Sequence, residues 1–415
     1  MEPSGEKNRS AVRVLACCGG MVIVHGLERM TFEVLRVLRE RGGEVHCIVN
    51  NWENYRIVPL AQQIGASWST GYYSYRLDRH TSNPVRLAAM AANILRTSGG
   101  LIRDVWRFRP THVFIPDFLA VFHYGPALIV LRALGIQITM RLGNPPEIGR
   151  FYRRLWRWVV NPLITRFICN SQFTQRELLG HGVPARKISY IYNTVPSRTD
   201  SSHVKEPDRG KVIYVGQIIP SKGVDLLLDA IGILAERGLD VRLDVVGQMD
   251  GWAPAAYTGH REALSERAER PDLRGRVRFL GRQEDVPRLL AEAAVHCCPS
   301  RPEQREAFGV VNIEAKKAGI PSVVTSIGAL PELITHLVDG WICAEVSAES
   351  LAEGIEYFLA DANRREEAGR RAQSSLQRFS REQFAEQWWN VFAPAAAARS
   401  EEDLPMSGVS RGVQT

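Results

Sequence analysis

Two glutamates and one lysine have the types and spacing in this chain that most directly suggest chemistry. Glu306 and Glu314 stand in "EAFGVVNIE", separated by seven residues that are mostly small or apolar. Glu306 precedes Phe308-Gly309, where a chain can turn. Glu314 falls inside a predicted helix that stops at Gly319-Ile320-Pro321. Carboxylates on either side of such a turn suit a polar ligand held at the helix start. Lys222-Gly223 closes "QIIPSKG" at the start of another predicted helix. The free N–H groups and positive dipole end of a helix favour an anion such as phosphate there. A lysine is unfavourable at that dipole end, which argues for an anion beside it. The plain alternatives are a solvated Glu314 near Lys316 or Lys317, and a surface Lys222.

The elements that must position these residues alternate between short apolar runs and helical spacing. "VRVLACC" (12–18), "EVHCIV" (44–49), "THVFIPD" (111–117), "QITMRL" (137–142) and "RFICNS" (166–171) read as strands, and "LERMTFEVLRVLRERG" (27–42) as a helix. The segment 192–211 turns polar and rich in Pro and Ser, the best linker in the chain. Strands then resume at 212–216, 241–247, 277–281, 295–300 and 321–325, with helices at 223–237, 284–294 and 311–319. Such alternation predicts two α/β domains with mostly parallel sheets covered on both faces. Ligands of open parallel sheets bind beyond the carboxyl ends of the strands, where Lys222 and Glu306 both stand. The glycine turn "CCGGMVIVHGLER" follows the first strand, but it lacks GxGxxG, and no GxxxxGK[ST] occurs anywhere. Dinucleotide-binding and P-loop readings are therefore poor.

A chain of 415 residues suits two domains, and 45% hydrophobic with 23% charged residues is globular composition. The net charge of +7 suits an anionic substrate, an anionic membrane surface or nucleic acid without choosing among them. Seven scattered cysteines, mostly in apolar strand-like runs and with no CxxC, read as buried thiols of a reducing compartment, which makes a cytoplasmic location the expectation. The polar start "MEPSGEKNRS" lacks a signal-peptide core. The longest apolar run, around 119–131, falls short of the ~20 residues that span a bilayer. In "RFYRRLWRWVV" (150–160), Arg150, Arg153, Arg154 and Arg157 share one helix face, and Phe151, Leu155, Trp158 and Val159 another. A basic helix bearing Trp158 suits an anionic membrane surface, with an ordinary domain helix as the alternative.

These residues resemble a known family. "VGQIIPSKGVDLLLDA" (215–230) with "PSRPEQREAFGVVNIEAKKAGIPSVVTSIGALPELI" (299–334) is similar to the nucleotide-sugar half of the retaining glycosyltransferases of family 4, which have the GT-B fold and an E-x7-E motif. "CNSQFTQRELLGHGVPARKISYIYNTV" (169–195) resembles the approach to that family's hinge, and "GLERMTFEVLRVLRERGGEVHCIV" its first helix and second strand. The resemblance spans residues 11–393. It implies an acceptor domain at 11–195, a linker at 196–210, a nucleotide-sugar domain at 211–378 and a helix at 379–393 that crosses back. Residues 1–10 and 394–415 read as disordered ends.

The resemblance implies that Glu314 holds the donor ribose and that Glu306 contacts the donor sugar. The amides of Phe308, Gly309, Val310 and Val311 would meet the sugar and diphosphate, and Lys222 would neutralise the diphosphate. Gly26 would let backbone approach the donor, Gly216-Gln217 would line it, and Gly281-Arg282 lies where the family's base-binding loop does. Two departures stand out: Gln217 replaces the arginine usual after that glycine, and Arg141 occupies a slot often held by histidine, which His123 does not fill by position. Arg141 is then a candidate for the reaction centre, the diphosphate or an anionic acceptor, and Asp117 a candidate on the acceptor side. The expectation is transfer of a sugar from a UDP- or GDP-sugar to a glycan or lipid-linked saccharide, with retention. No cofactor, metal or nucleic acid is expected, since a lysine and a helix start can stabilise the leaving diphosphate and no Asp-x-Asp pair occurs. The enzyme would be cytoplasmic, on or near the inner face of the membrane. The rivals are an inactive GT-B domain that binds a nucleotide or partner, and a UDP-sugar epimerase.

Overall fold

The apolar runs pair into two wholly parallel sheets. The computed structural model of the protein describes residues 12–22, 24, 26–71, 83–195, 208–248, 257 and 259–393. The predicted linker lies largely outside them at 196–207, as do the two ends read as disordered, 1–10 and 394–415.

The first sheet holds β1 (Arg13–Cys17), β2 (Glu44–Asn50), β3 (Ser67–Gly71), β4 (His112–Ile115), β5 (Gln137–Leu142), β6 (Arg166–Cys169) and β7 (Ile188–Tyr190), in the order β3-β2-β1-β4-β5-β6-β7. The second holds β8 (Lys211–Val215), β9 (Arg242–Val246), β10 (Val277–Gly281), β11 (Val295–Cys298), β12 (Ser322–Thr325) and β13 (Gly340–Cys343), in the order β10-β9-β8-β11-β12-β13. Central strands are buried on both faces, so they read as unbroken apolar runs rather than alternating ones. In β1, Val14 and Ala16 enter one core while Leu15 and Cys17 enter the other. All seven cysteines are buried free thiols.

The helices that matter for the site are α1 (Gly26–Glu40), α2 (Pro84–Phe108), α3 (Phe118–His123), α4 (Gly125–Ala133), α5 (Arg150–Leu155) and α6 (Gln172–Gly180) in the first domain. The second domain contributes α7 (Val224–Glu236), α8 (Val310–Lys317) and α9 (Ala348–Leu359), and the described chain ends in α10 (Arg381–Phe392). The helix α1 packs in the core on one face of the first sheet, and α2, α4 and α5 pack against the core on the other. The helix α10 returns to the first domain. Phe384, Trp388 and Phe392 lie in the core beneath α1, and Phe114 meets Trp388 edge-on at 5.8 Å. Arg381 anchors the start of α10, with its guanidinium 2.8 Å from Glu33 and 2.7 Å from Glu40.

The segment 150–160 departs from the regular helix that its spacing predicts. After Leu155 the chain widens into a π-helical turn, Trp156–Val160. Trp156, on neither predicted face, turns inward and stacks on Phe118 at 4.8 Å. Phe151, Trp158 and Val159 are left exposed beside the four arginines. No helix among the described residues is long and apolar enough to cross a membrane.

Candidate active site

The Lys222-Gly223 turn is built by close backbone packing. Pro220–Lys222 forms one tight turn after β8, and Gly223 follows in the left-handed region at φ 71°. A Cβ at Gly223 would stand 2.1 Å from the Pro299 carbonyl oxygen, so only glycine fits. That contact brings the turn against residues 299–306. The Arg301 N–H donates to the Ser221 carbonyl at 2.9 Å, and the Ser221 hydroxyl donates to Gln304 at 2.7 Å. Lys222 Nζ thereby reaches Glu306 Oε2 at 2.5 Å, and the Ser300 hydroxyl donates to the same oxygen at 3.2 Å. Burial pulls the Lys222 ammonium down, but the Glu306 carboxylate outweighs it and the pKa is raised. The lysine stays charged.

Glu306 is buried beneath a second glycine. A Cβ at Gly328, in "GALPE", would stand 2.2 Å from the Glu306 carbonyl oxygen, which accepts from the Ala329 N–H at 2.8 Å. Downstream, the Phe308 side chain turns into the core against Tyr192 and Phe379, so it offers the cleft only its backbone. Gly309, at φ 77°, then opens α8. Val310 and Val311 form its first turn, where N–H groups have no acceptor within the helix. Glu314 is half-buried on α8. Lys316 is not its ion-pair partner: that lysine is fully buried, 2.6 Å from Asp339 and 3.0 Å from the Ser375 hydroxyl.

Backbone crowding also gathers the ends of β8, β9 and β10. A Cβ at Gly247 would stand 1.9 Å from the Gly216 carbonyl oxygen, and the Gly247 N–H donates to the Gly281 carbonyl at 2.9 Å. Gly216 and Gly281 therefore flank a third glycine that the sequence reading did not select. Gln217 and Arg282 are exposed next to them.

Across from these, the first domain gathers charged groups at the carboxyl ends of its strands. Arg141 ends buried on β5. Its Nη2 donates to Asn193 at 3.0 Å, while Nη1 is buried with no hydrogen-bond partner. Burial lowers its pKa to about 10, opposed by the negative charge of Glu28. Asp117 caps α3 by accepting from the Ala120 N–H at 3.0 Å. Burial pushes its carboxyl up to about 6, the Ala120 and Leu119 N–H groups hold it down, and Glu28 adds to the rise. Glu28, in the first turn of α1, thus acts on both candidates and was missed because nothing in "GLERM" marks it. Gly26 opens the same helix, and a Cβ there would meet nothing within 4 Å, so its face is open.

Two C-terminal-domain residues tie the halves together. Arg305, at φ 43°, reaches across to the Pro146 carbonyl at 2.5 Å and to the Glu177 carboxylate on α6. The Glu332 carboxylate caps the N-terminus of α6, accepting from Gln172 N at 2.8 Å and Phe173 N at 2.5 Å. The site residues expected from sequence thus fall into two groups. Lys222, Glu306, α8 and the Gly216/Gly281 strand ends lie in one domain, and Gly26, Asp117 and Arg141 in the other. The Arg150–Arg157 stripe belongs to neither. No group of three or more His, Cys, Asp or Glu positioned to hold a metal ion exists among the described residues.

Known proteins share this architecture and sequence. The model "Glycosyltransferase Family 4" matches residues 24–198, and "Glycosyl transferases group 1" matches 197–375. The chain is 31% identical over 375 residues to the N-acetyl-alpha-D-glucosaminyl L-malate synthase of Bacillus anthracis, covering 87% of this chain and 91% of that protein. It is 32% identical over 188 residues to the D-inositol 3-phosphate glycosyltransferase of Corynebacterium aurimucosum, covering 44% of this chain. That match spans less than half of the relative, 43% of its length. Among solved structures, Anabaena HepE in complex with UDP and glucose aligns with a TM-score of 0.72 at 20% identity, covering 92% of this chain and 99% of that one. The sucrose-phosphate synthase of Thermosynechococcus elongatus aligns with a TM-score of 0.71 at 16% identity, covering 92% and 98%. With two parallel-sheet domains facing across the Lys222–Glu306 cleft, the chain has the GT-B fold and belongs to glycosyltransferase family 4.

Proposed function

We propose that the protein is a retaining, metal-independent glycosyltransferase that moves a sugar from a UDP- or GDP-sugar to a glycan or lipid-linked saccharide. The observation that carries this reading is the Lys222–Glu306 pair at 2.5 Å, set beside the first turn of α8. A cation, a carboxylate and free amide N–H groups converge where a nucleoside diphosphate sugar needs all three. The UDP bound to the HepE structure supports a uridine donor.

In the proposed reaction the bond between the anomeric carbon and the diphosphate oxygen breaks, and its electron pair leaves with the diphosphate. Lys222 and the amides of α8 meet the growing negative charge, while Glu306 stabilises positive charge on the ring. The acceptor hydroxyl attacks the same face of the anomeric carbon and passes its proton to the leaving diphosphate. Glu314 holds the ribose. Arg141 takes an anionic group of the acceptor, a role supported by its buried, unpartnered Nη1. The names of two relatives carry such anions, L-malate and D-inositol 3-phosphate.

The test is incubation with a panel of UDP- and GDP-sugars, following nucleoside diphosphate release and, by NMR, the anomer of the product. Release with one preferred donor and a retained anomer supports the proposal. Interconversion of donor sugars without release would identify an epimerase, and neither reaction an inactive binding domain.

A further inference from the structure

A small cavity opens at the edge of the second sheet that faces away from the candidate active site. Three of its walls are residues that lead into neighbouring strands: Arg209 before β8, Ala293-Ala294 before β11, and Gly319-Ile320-Pro321 before β12. These strands run parallel, so the walls stand at amino ends, whereas Lys222 and Glu306 follow carboxyl ends. The fourth wall is the helix Ala362–Ser374, which brings Arg365 and Glu366. Glycine lets that helix come close, because a Cβ at Gly369 would stand 1.9 Å from the Gly319 carbonyl oxygen. The cavity measures about 150 Å³, several times the roughly 30 Å³ that one water occupies in the liquid.

The protein does not balance the charge on these walls. Arg365 is only 8% exposed, yet its one hydrogen bond among the described residues runs from Nη1 to the Phe358 carbonyl at 3.4 Å. That is beyond the usual N–H···O range, and Nε and Nη2 have no partner there. Arg209 is exposed and has no hydrogen bond or ion pair among the described residues. The acids near it are engaged elsewhere. Asp208 pairs with Arg242 at 2.9 Å, and Glu292 with Lys211 at 3.3 Å and Arg288 at 3.2 Å. Asp361 turns to Arg364 at 3.6 Å. Glu366 is exposed and forms no ion pair with either arginine. Burial lowers the Arg365 pKa and the Arg209 charge lowers it further, while Glu366 and Asp361 oppose the fall. Two cations thus share one cavity, and one of them is nearly buried without a countercharge, an arrangement that an anion would relieve.

We infer that Arg209 and Arg365 bind a small oxyanion of the phosphate class in this cavity. The planar guanidinium fork matches the oxygens of such an anion two at a time. An anion held there would join three pieces that are distant in sequence: the entry into the second domain, the end of α8, and the helix that leads into α10. The site is separate from the donor cleft. It does not depend on the proposed transfer reaction, because its test reads phosphate binding and not turnover.

The experiment is calorimetric titration of the full chain with inorganic phosphate and with glycerol 3-phosphate, at an ionic strength held constant with chloride. Binding of either supports the site, and which of the two binds tells free phosphate from a phosphomonoester as the source. Arg209→Ala removes one charged hydrogen-bonding partner and should weaken binding by about ten- to a hundredfold. Arg209→Lys, which keeps the charge, should bind more tightly than Arg209→Ala. Arg209 is exposed, so an unchanged melting temperature in phosphate-free buffer serves as the folding control. Lys222→Met, in the donor cleft, should bind phosphate here as the parent does. The inference is overturned if the parent binds neither phosphate compound, or if Arg209→Ala binds as the parent does. It is also overturned if Lys222→Met abolishes binding, which would put the phosphate in the donor cleft instead.

Discussion

Replacing Lys222 should do two separable things. The Lys222 side chain is 16% exposed and that of Glu306 9%, so Lys222→Met leaves a largely buried carboxylate with only the Ser300 hydroxyl. Breaking a buried ion pair by removing one partner costs ~3–5 kcal/mol, and the residual exposure here argues for about 3. A domain the size of residues 211–378 shifts its melting temperature by about 2–4 °C per kcal/mol, so a fall of ~6–12 °C is expected. Adding Glu306→Gln removes the orphaned charge. Most of that loss should return, because an uncharged pair in a buried site is often as stable as an ionic one. Turnover should not return. If Lys222 faces charge that grows as the donor bond breaks, kcat falls by ~10²–10³ in the single variant and stays low in the double one. Differential scanning fluorimetry beside a nucleoside diphosphate release assay measures both in one preparation. The reasoning fails if Lys222→Met melts like the parent, or if the double variant turns over at the parent rate.

Glu314→Ala should raise the donor KM with a smaller change in kcat, since a ribose contact binds ground and transition states alike; an unchanged KM in steady-state kinetics removes Glu314 from the donor site. Asp117 has its carboxyl raised to about 6, so the folded protein holds its proton more tightly than the unfolded chain does, and its contribution to stability is lost as pH rises from about 4 through 6. Asp117→Asn keeps a capping oxygen for the Ala120 N–H and removes the titration. Urea melts across that range should show the variant gaining on the parent by ~1–3 kcal/mol as pH rises, and parallel curves would contradict the raised pKa. Trp388→Ala empties a fully buried site between α1 and Phe114 and should cost ~3–5 kcal/mol in the same melts. A loss under ~1 kcal/mol would mean that α10 is not anchored in the first-domain core.

The sequence spelled out the central strands well because both of their faces are buried. "VRVLACC" and "VHCCPS" have no polar alternation to confuse them. The strands it did not spell out are β3, β7 and β13, and all three lie at sheet edges. "SWSTG" and "ISY" carry hydroxyls and few branched apolar residues, because an edge strand packs one flank against solvent. The two glutamates and the KG turn were readable because glycines with positive φ fix their surroundings locally. The pairing of Lys222 with Glu306 was not, since 84 residues separate them and the contact depends on Gly223 meeting the Pro299 carbonyl. The 150–160 segment was legible only in part. Helical periodicity assumes a regular helix, and a π-helical turn at Trp156–Val160 shifts its side chains, so Trp156, on neither of the two faces named from the spacing, came out buried.

The link between the two domains adds a consequence for how the site is held. Glu306 directly follows Arg305, whose left-handed backbone is held by contacts to Glu177 and Pro146 in the other domain. Glu332 stands four residues beyond Gly328, the glycine packed on the Glu306 backbone, and it caps α6 from across the cleft. Both supports of Glu306 therefore run into the same helix of the opposite domain. Any opening of the cleft at α6 must pull Arg305 from Glu177 and uncover two N–H groups at the helix start. Each loss bears on the segment that sets Glu306 against Lys222. The geometry of the charged pair is thus coupled to the closure of the domains, and the coupling runs through Arg305, Glu177 and Glu332.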